Sequence, residues 1–262
     1  MSTGVGALSL HQLRYEQKSY WRNPASAGFT FIFPVLFLVI FASLNTSSTV
    51  DFLGGIDYNQ YYIPGIMCFG VISATFTNLA MTLCIRRDSG ILKRLRGTPL
   101  PTSAMLGGLL LNAVVVAAIL CTLIGVMGFV LYSLEFPGHW PALIVSLLVG
   151  ALTFASLGVA MSTLVPNADA APAIVNGILF PILFVSGVFF PLSDDSWLAR
   201  VGDVFPIRHF VNAVFAAFDP REAKGLAHGW SWSDLAVMAV WGVIGAVVAI
   251  RYFRWEPRTP QA

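Results

Sequence analysis

The sequence predicts an all-α integral membrane protein, and three observations indicate this fold class. Hydrophobic residues make up 56% of the 262 residues and charged residues only 11%, whereas a soluble domain carries about 25% charged residues. Six stretches are close to or above the ~20 apolar residues that a helix needs to cross a bilayer. Most lysines and arginines fall outside these stretches. A water-soluble fold would leave much of this apolar surface exposed, so lipid is the expected solvent.

The N-terminal residues 7–23 have the pattern of an amphipathic helix lying in the membrane interface. Apolar residues fall near one face and basic residues, spaced by four, on another: Leu10, Leu13, Tyr20 and Trp21 against Arg14, Lys18 and Arg22. The basic side chains of such a helix reach toward lipid headgroups. A frayed, charged tail is the alternative. No short apolar region with a small-residue cleavage site follows, so a signal peptide is not expected.

Six transmembrane helices are predicted, and with their connections they form one transmembrane domain over residues 1–262. The third stretch is longer than one crossing requires, so we expect it to tilt or to begin in the interface. The predicted spans are 27–44, 61–85, 103–134, 141–165, 171–191 and 234–253.

The basic connection 86–101, between the second and third spans, predicts a short rigid helix. Ile91, Leu92 and Leu95 form a small apolar face flanked by basic residues. Gly90 and Gly97 bracket one or two helical turns, and the prolines that follow prevent continuation. Such a helix can transmit a push between two spans. A positive anchor that only fixes topology would have the same composition, and both interpretations stay open.

The segment 192–232, between the fifth and sixth spans, is too aromatic for an open loop. Apolar residues recur at intervals of three and four on both sides of Pro206: Trp197, Leu198, Val201 and Phe205, then Phe210, Val211, Val214, Phe215 and Phe218. This spacing predicts two short helices that dip into the membrane or cap the bundle.

The distribution of basic residues predicts the orientation. Cytoplasmic segments are enriched in lysine and arginine. Eleven of the 15 lie in the N-terminal segment, the 86–101 connection and the C-terminal tail, and the other four lie in the long 192–232 segment. Both termini are therefore expected in the cytoplasm of a multi-pass plasma-membrane protein.

Several classes of function are disfavoured by residues that the chain lacks. A phosphate-binding Walker A loop needs a lysine after glycine, but Lys18, Lys93 and Lys224 follow glutamine, leucine and alanine. No ionisable residue falls in the middle of a predicted span, which disfavours ion coupling. The three cysteines fit no metal motif, the acidic residues form no catalytic pattern, and the net charge of +2 does not suggest nucleic acid.

Two motifs resemble those of ABC-2 type exporter permeases. Arg87-Asp88-Ser-Gly90 precedes Leu92-Lys-Arg-Leu-Arg-Gly-Thr-Pro99, which is similar to the coupling segment of that family, with Asp88 where many members have glutamate. The fifth span contains Asn176 and Pro181 and ends Ser-Gly-Val-Phe-Phe-Pro191, which resembles the family's Ser-Gly-x-x-Phe-Pro ending. The resemblance extends over essentially the whole chain. Within the family, the chain looks nearest to the drug and antibiotic exporter branch.

The resemblance implies a permease subunit that is not itself an enzyme and binds no cofactor or metal. A separate ATP-binding subunit would carry ATP and Mg²⁺, and a second permease subunit, identical or paralogous, would complete the path for a small hydrophobic or amphipathic substrate. The residues implied in coupling to the ATPase are Arg86, Arg87, Asp88, Gly90, Leu92, Leu95, Arg96, Thr98 and Pro99. Those implied along the substrate path are Phe69, Ser73, Phe76, Thr77, Asn176, Phe180, Leu183 and Phe184.

Alternatives remain for the path residues and for the function. Aromatic and small residues spaced by three or four are common in helix packing, which could explain each path residue without a substrate. An ion-coupled secondary transporter and a non-transporting membrane scaffold are the competing functions. The scaffold leaves the coupling motif and the paired short helices unexplained.

Overall fold

The computed structural model describes residues 5–44, 49–50, 55–193, 195–219, 229–253 and 255–256, apart from the side chains of residues 25 and 26. The predicted all-α membrane fold is confirmed. The helices are α1 (Val5–Trp21), α2 (Pro24–Leu44), α3 (Tyr58–Ile72), α4 (Asn78–Asp88), α5 (Ile91–Arg96), α6 (Thr102–Leu131), α7 (Trp140–Leu164), α8 (Ala171–Val185), α9 (Trp197–Gly202), α10 (Pro206–Phe218) and α11 (Trp232–Tyr252). A π-helical segment, Ser73–Thr77, joins α3 to α4. The two-residue strands β1 (Thr49–Val50) and β2 (Ile56–Asp57) pair antiparallel.

Among the residues described, five helical stretches are long and apolar enough to cross a membrane. Each coincides with a predicted span to within three residues: Ala27–Leu44, Tyr58–Asp88, Thr102–Leu131, Trp140–Leu164 and Trp232–Tyr252. The second combines α3, the π-helical segment and α4. The predicted third span ended too late, at residue 134, because Tyr132 leaves helical geometry and Ser133 has a φ of 52°.

The predicted fifth span, 171–191, is shorter as a helix than expected. Its helix α8 has 15 residues, or about 22 Å at 1.5 Å per residue, less than the ~30 Å hydrocarbon core of a bilayer. Gly187, at φ 78°, turns the chain after α8, and Val188 and Phe189 are buried beyond the turn. The apolar run therefore continues past the helix, and the count of six spans stays a prediction.

Helix α3 lies at the centre of the bundle, with every one of its residues buried. It packs against α2, α6, α7 and α10. The π-helical segment that follows lies against α7, where a Cβ on Gly158 would be only 2.7 Å from the Phe76 carbonyl oxygen. Glycine is thus required on α7 for its backbone to approach the π-helical segment this closely.

The bundle has two distinct ends. We call one of them the basic end. There α1 packs along the first turns of α6, and Lys93 of α5 lies 4.0 Å from Glu256, which follows α11. At the opposite end α10 packs against α3, α7 and α11. Two short helices, α9 and α10, are found in the 192–232 segment as expected, and whether they enter the membrane stays a prediction. Residues 194 and 220–228 of that segment lie outside the described residues.

Candidate functional site

Helix α5 presents an exposed face of mixed apolar and basic character at the basic end. Gly90 adopts a φ of 72°, a left-handed conformation that glycine adopts at little cost, and this turns the chain between α4 and α5. Leu92 is fully buried and holds α5 down, whereas Ile91 is 41% exposed. The remaining exposed residues of the predicted coupling segment are Ser89, Lys93, Arg94, Arg96, Gly97, Thr98 and Pro99, and Leu95 is half-buried.

Arg86, Arg87 and Asp88 belong to the last turn of α4, so the prediction that they form part of a loop was wrong. Arg87 and Asp88 find their partners at the end of α7 and in the connection that follows it, and Arg86 finds its partner on α1. Arg87 is 3% exposed, and its guanidinium donates hydrogen bonds to the carbonyl oxygens of Ser162, Val165 and Pro166 at 2.9, 3.0 and 3.1 Å. The sequence shows only that Arg86 and Arg87 form a basic pair at the end of a span. It does not indicate whether the Arg87 side chain is buried or exposed.

Asp88 completes the same contact. Its carboxylate accepts one hydrogen bond from Arg87 Nε at 3.2 Å and another from the backbone N–H of Ala168 at 2.5 Å. The two side chains, which we call the Arg87–Asp88 clamp, therefore bind the last carbonyls of α7 and the connection from α7 to α8. The last carbonyls of a helix lack intrahelical partners and carry partial negative charge, so a buried arginine stabilises them.

A second ion pair fastens α1 to the end of α4. Arg86 donates to both carboxylate oxygens of Glu16, at 2.8 and 2.5 Å, and Gln12 donates to one of them at 3.0 Å. Bidentate arginine–carboxylate pairs are among the stronger charged contacts in proteins. This pair was not predicted from the sequence. The available signal was Glu16, a lone acidic residue in a basic N-terminal segment.

The face that α1 turns toward α6 is largely polar, and the position of α1 in the membrane interface stays a prediction. Ser9, Glu16 and Tyr20 are buried, whereas Leu10 and Trp21 are 59% and 49% exposed. Burial raises the pKa of the Tyr20 phenol above its usual value. Hydrogen bonds to the bundle, rather than an apolar stripe, thus fix the rotation of α1.

The predicted substrate-path residues lie on α3, the π-helical segment and α8, and several of them are in contact across these elements. Phe76 of the π-helical segment packs against a cluster that contains Ala171 and Val175 of α8. We call the aromatic surface that these elements form with α2 the wall. Phe33 of α2 joins the two helices, with its ring centroid 6.1 Å from that of Phe69 and 6.3 Å from that of Phe180. Phe69 and Leu183 are buried and support the wall. Phe184 is exposed, and the half-buried members are Ser73, Phe76, Thr77, Asn176 and Phe180.

Comparison with known proteins assigns this architecture to a family. The model of the ABC-2 type transporter family matches residues 11–218, which include the coupling segment, the wall and both short helices. The chain belongs to the ABC-2 type transporter family. Proteins named as transport permeases are among its relatives.

Three relatives illustrate the range of similarity to this ABC-2 permease. The transport permease ycf38 of Porphyra purpurea is 26% identical over 246 residues, 89% of this chain and 79% of its own length. The multidrug ABC transporter permease YbhR of Escherichia coli is 21% identical over 71% of this chain, which spans 51% of YbhR. Nodulation protein J of Neorhizobium galegae is 29% identical over 62% of each chain.

The buried charges of the permease, among the residues that the structure describes, lie near helix ends. They are Glu16, Arg87 and Arg208, and each has a charged partner, with Arg208 Nε 2.7 Å from Asp203 Oδ1. His209 Nδ1 lies 2.5 Å from Asp234 Oδ1 at the end opposite the basic one. Within the described ranges, no three His, Cys, Asp or Glu side chains are grouped to hold a metal ion.

Proposed function

We propose that this permease is the membrane-spanning subunit of an ATP-driven exporter, in which a separate ATP-binding subunit carries ATP and Mg²⁺. The main support for the proposal is the exposed face of α5, which follows the buried Arg87–Asp88 clamp at the end of α4. Ile91 and Arg94 are exposed on α5, while Leu92 and Arg87 fix the position of the helix from inside. A helix can receive force from a partner when its outer face is exposed and its inner face is held rigidly, and α5 meets both conditions.

The clamp offers a route from α5 to the substrate wall. A displacement of α5 moves the end of α4, and the Arg87–Asp88 clamp connects this end to Val165, Pro166 and Ala168. The chain enters α8 three residues after Ala168. Movement at the ATPase-facing surface would therefore reposition α8 relative to the π-helical segment and change the width of the path.

The substrate path is proposed to lie on the aromatic wall of α2, α3 and α8. Exposed Phe29, Phe33 and Phe184 accompany the half-buried Phe76 and Phe180. Such a wall has many apolar contacts and few polar groups, which suits a hydrophobic or amphipathic substrate such as a drug, an antibiotic or a lipid-like molecule. The wall is open on one side, so a second permease subunit, identical or paralogous, would close it.

The permease is proposed to lie in the plasma membrane with its basic end in the cytoplasm. Arg14, Lys18, Lys93, Arg94 and Arg96 are all exposed at this end, as the enrichment of cytoplasmic segments in basic residues requires. Of the tail's basic residues Arg251 is described, whereas Arg254 and Arg258, like Arg221 and Lys224 of the 192–232 segment, lie outside the described residues. In this orientation α9 and α10 would form part of an exit lid on the outer side.

Charge reversal on α5 tests the proposal. The tagged permease is purified from membranes of the cell that naturally makes it, and the ATPase activity that accompanies it is measured. The double substitution Ile91→Glu and Arg94→Glu should remove this activity, because both side chains are exposed and neither holds the permease together. Arg87 and Leu92 are unsuitable for this test, since they are buried and their loss would disturb the subunit itself.

Arg251→Glu provides the matched control, because Arg251 is exposed at the same end but lies on α11. It should retain the ATPase activity. If the wild-type permease carries no ATPase, or if the α5 variant retains it in full, the proposed coupling surface is wrong.

A further inference from the structure

A groove between α6 and α7, away from the aromatic wall, is a second site on this permease. It has a volume of about 380 Å³. Met67 and Val71 of α3 form its floor, where both are buried, and exposed Val126, Ile144 and Leu148 form its rims. Both rim helices are among the stretches long and apolar enough to span a membrane, so the groove opens toward bilayer hydrocarbon.

The lining offers almost nothing to a polar ligand. Small residues, among them Ala117, Gly125 and Ala151, create the concavity. Thr122 carries a hydroxyl, but it already donates to the Ala118 carbonyl of its own helix at 2.8 Å. Pockets for polar small molecules contain a few placed polar groups that orient the ligand. Apart from the Trp140 indole at one end, the lining is apolar or already hydrogen-bonded, and such a groove selects hydrocarbon instead.

The size of the groove distinguishes a single hydrocarbon chain from a second protein helix. A helix is about 10 Å across with its side chains, so a 20 Å length occupies ~1,600 Å³. The groove holds about a quarter of that volume. Trp140 and Pro137 lie at the end of the groove near the start of α7, and tryptophan is enriched where hydrocarbon meets headgroups.

We propose that this groove is a binding site for one acyl chain of a membrane phospholipid, taken from the leaflet opposite the basic end, with the headgroup near Trp140. The bound chain fills the space that α6 and α7 leave between them. The bound acyl chain is held by van der Waals contacts with the small residues of the groove. The hydrophobic effect does not contribute, because the groove already lies in the hydrocarbon core of the bilayer. This site is independent of ATPase coupling and of the substrate wall.

Photolabelling tests this site directly. The permease is placed in nanodiscs of phosphatidylcholine that carries a diazirine near the end of one acyl chain, and labelled peptides are mapped by mass spectrometry. Residues 117–126 and 144–151 should label several-fold more than Val243 and Val247, which are exposed on α11 without a groove. The substitution Gly125→Trp should abolish this excess. A Cβ there meets only Phe129 and Met67, at 3.8 and 4.0 Å, so the new side chain enters open space.

Val243→Trp is the matched control, because it adds similar bulk to the lipid-facing surface of α11 and should leave the groove labelling unchanged. Ala118→Trp fills the groove from its exposed rim and replaces Gly125→Trp if that variant fails to give a monodisperse protein. Equal labelling of groove and α11 residues overturns the proposal, as does labelling that persists in the filled variants. Labelling that appears only after oligomers are dissociated assigns the groove to a second copy of the chain and also overturns it.

Discussion

At the scale of single residues, Arg87 connects α4 to the end of α7 through three side-chain hydrogen bonds. Its guanidinium has three carbonyl acceptors and one carboxylate acceptor and is almost completely buried. A buried guanidinium requires such partners, because an unpaired charge in an apolar interior is very costly. The sequence predicts that Arg87 and Asp88 belong to a coupling motif, but not the direction of their side chains. Residue type sets charge, and only the packing of α7 determines whether that charge faces a partner protein or the permease itself.

Arg87→Ala should therefore destabilise the permease. The substitution leaves three carbonyl oxygens and part of the Asp88 carboxylate without a partner, and breaking a buried network of this kind costs about 3 kcal/mol. Thermal unfolding in detergent should show a clear decrease in Tm. Arg94→Ala removes the same side chain from an exposed position and should change stability by less than ~0.5 kcal/mol. Equal effects of the two substitutions would show that the clamp contributes nothing.

At the scale of elements, the predicted helices are recovered where hydrophobic length decides them. Spans such as 27–44 and 141–165 follow from long, mostly apolar runs without a charged residue, and their boundaries agree with α2 and α7 to within three residues. The π-helical segment and the polar face of α1 depend on contacts between distant segments and have no local signal. The early end of α8 has a local signal in Gly187, but a distant contact also holds it. Tyr61, for example, donates to the Gly187 carbonyl at 2.7 Å and holds the turn beyond α8. Composition alone cannot indicate such a contact.

The close approach of α7 to the π-helical segment makes Gly158 sensitive to any added side chain. A Cβ would lie 2.7 Å from the Phe76 carbonyl oxygen and 2.9 Å from its Cα. Because both atoms are backbone, the helices must separate, and overpacking of this type costs about 1–3 kcal/mol. Gly158→Ala should lower the Tm of the permease in detergent. In the control, Gly177→Ala on α8, the added Cβ meets nothing within 4 Å, so its Tm should not fall. A Gly158→Ala protein as stable as wild type would contradict the packing.

At the scale of the whole molecule, charge is confined to the ends of the bundle among the described residues. Glu16 and Arg87 lie at the basic end, while Arg208 and the His209–Asp234 pair lie at the other. This separation was predictable from sequence, because ionisable residues are costly inside a bilayer and interrupt apolar runs visibly. The lateral groove was not, since it depends on how the small residues of α6 and α7 pack over α3, which their spacing in the sequence does not reveal. The substrate wall is intermediate: its helices were identified, but the bridging role of Phe33 was missed.

No carboxylate, histidine, lysine or arginine lies at mid-span among the described residues, so the bundle lacks the side chains that usually bind and release a proton during transport. The permease alone, reconstituted in liposomes with a proton or sodium gradient and a fluorescent amphipathic dye, should therefore not accumulate the dye against its gradient. Addition of the ATP-binding subunit that co-purifies with it, together with ATP and Mg²⁺, should start accumulation. The Ile91→Glu and Arg94→Glu variant should remain inactive in the same liposomes, whereas Arg251→Glu should transport normally. Uphill transport by the permease with an ion gradient and no ATPase would contradict the assignment of the energy source to a partner subunit.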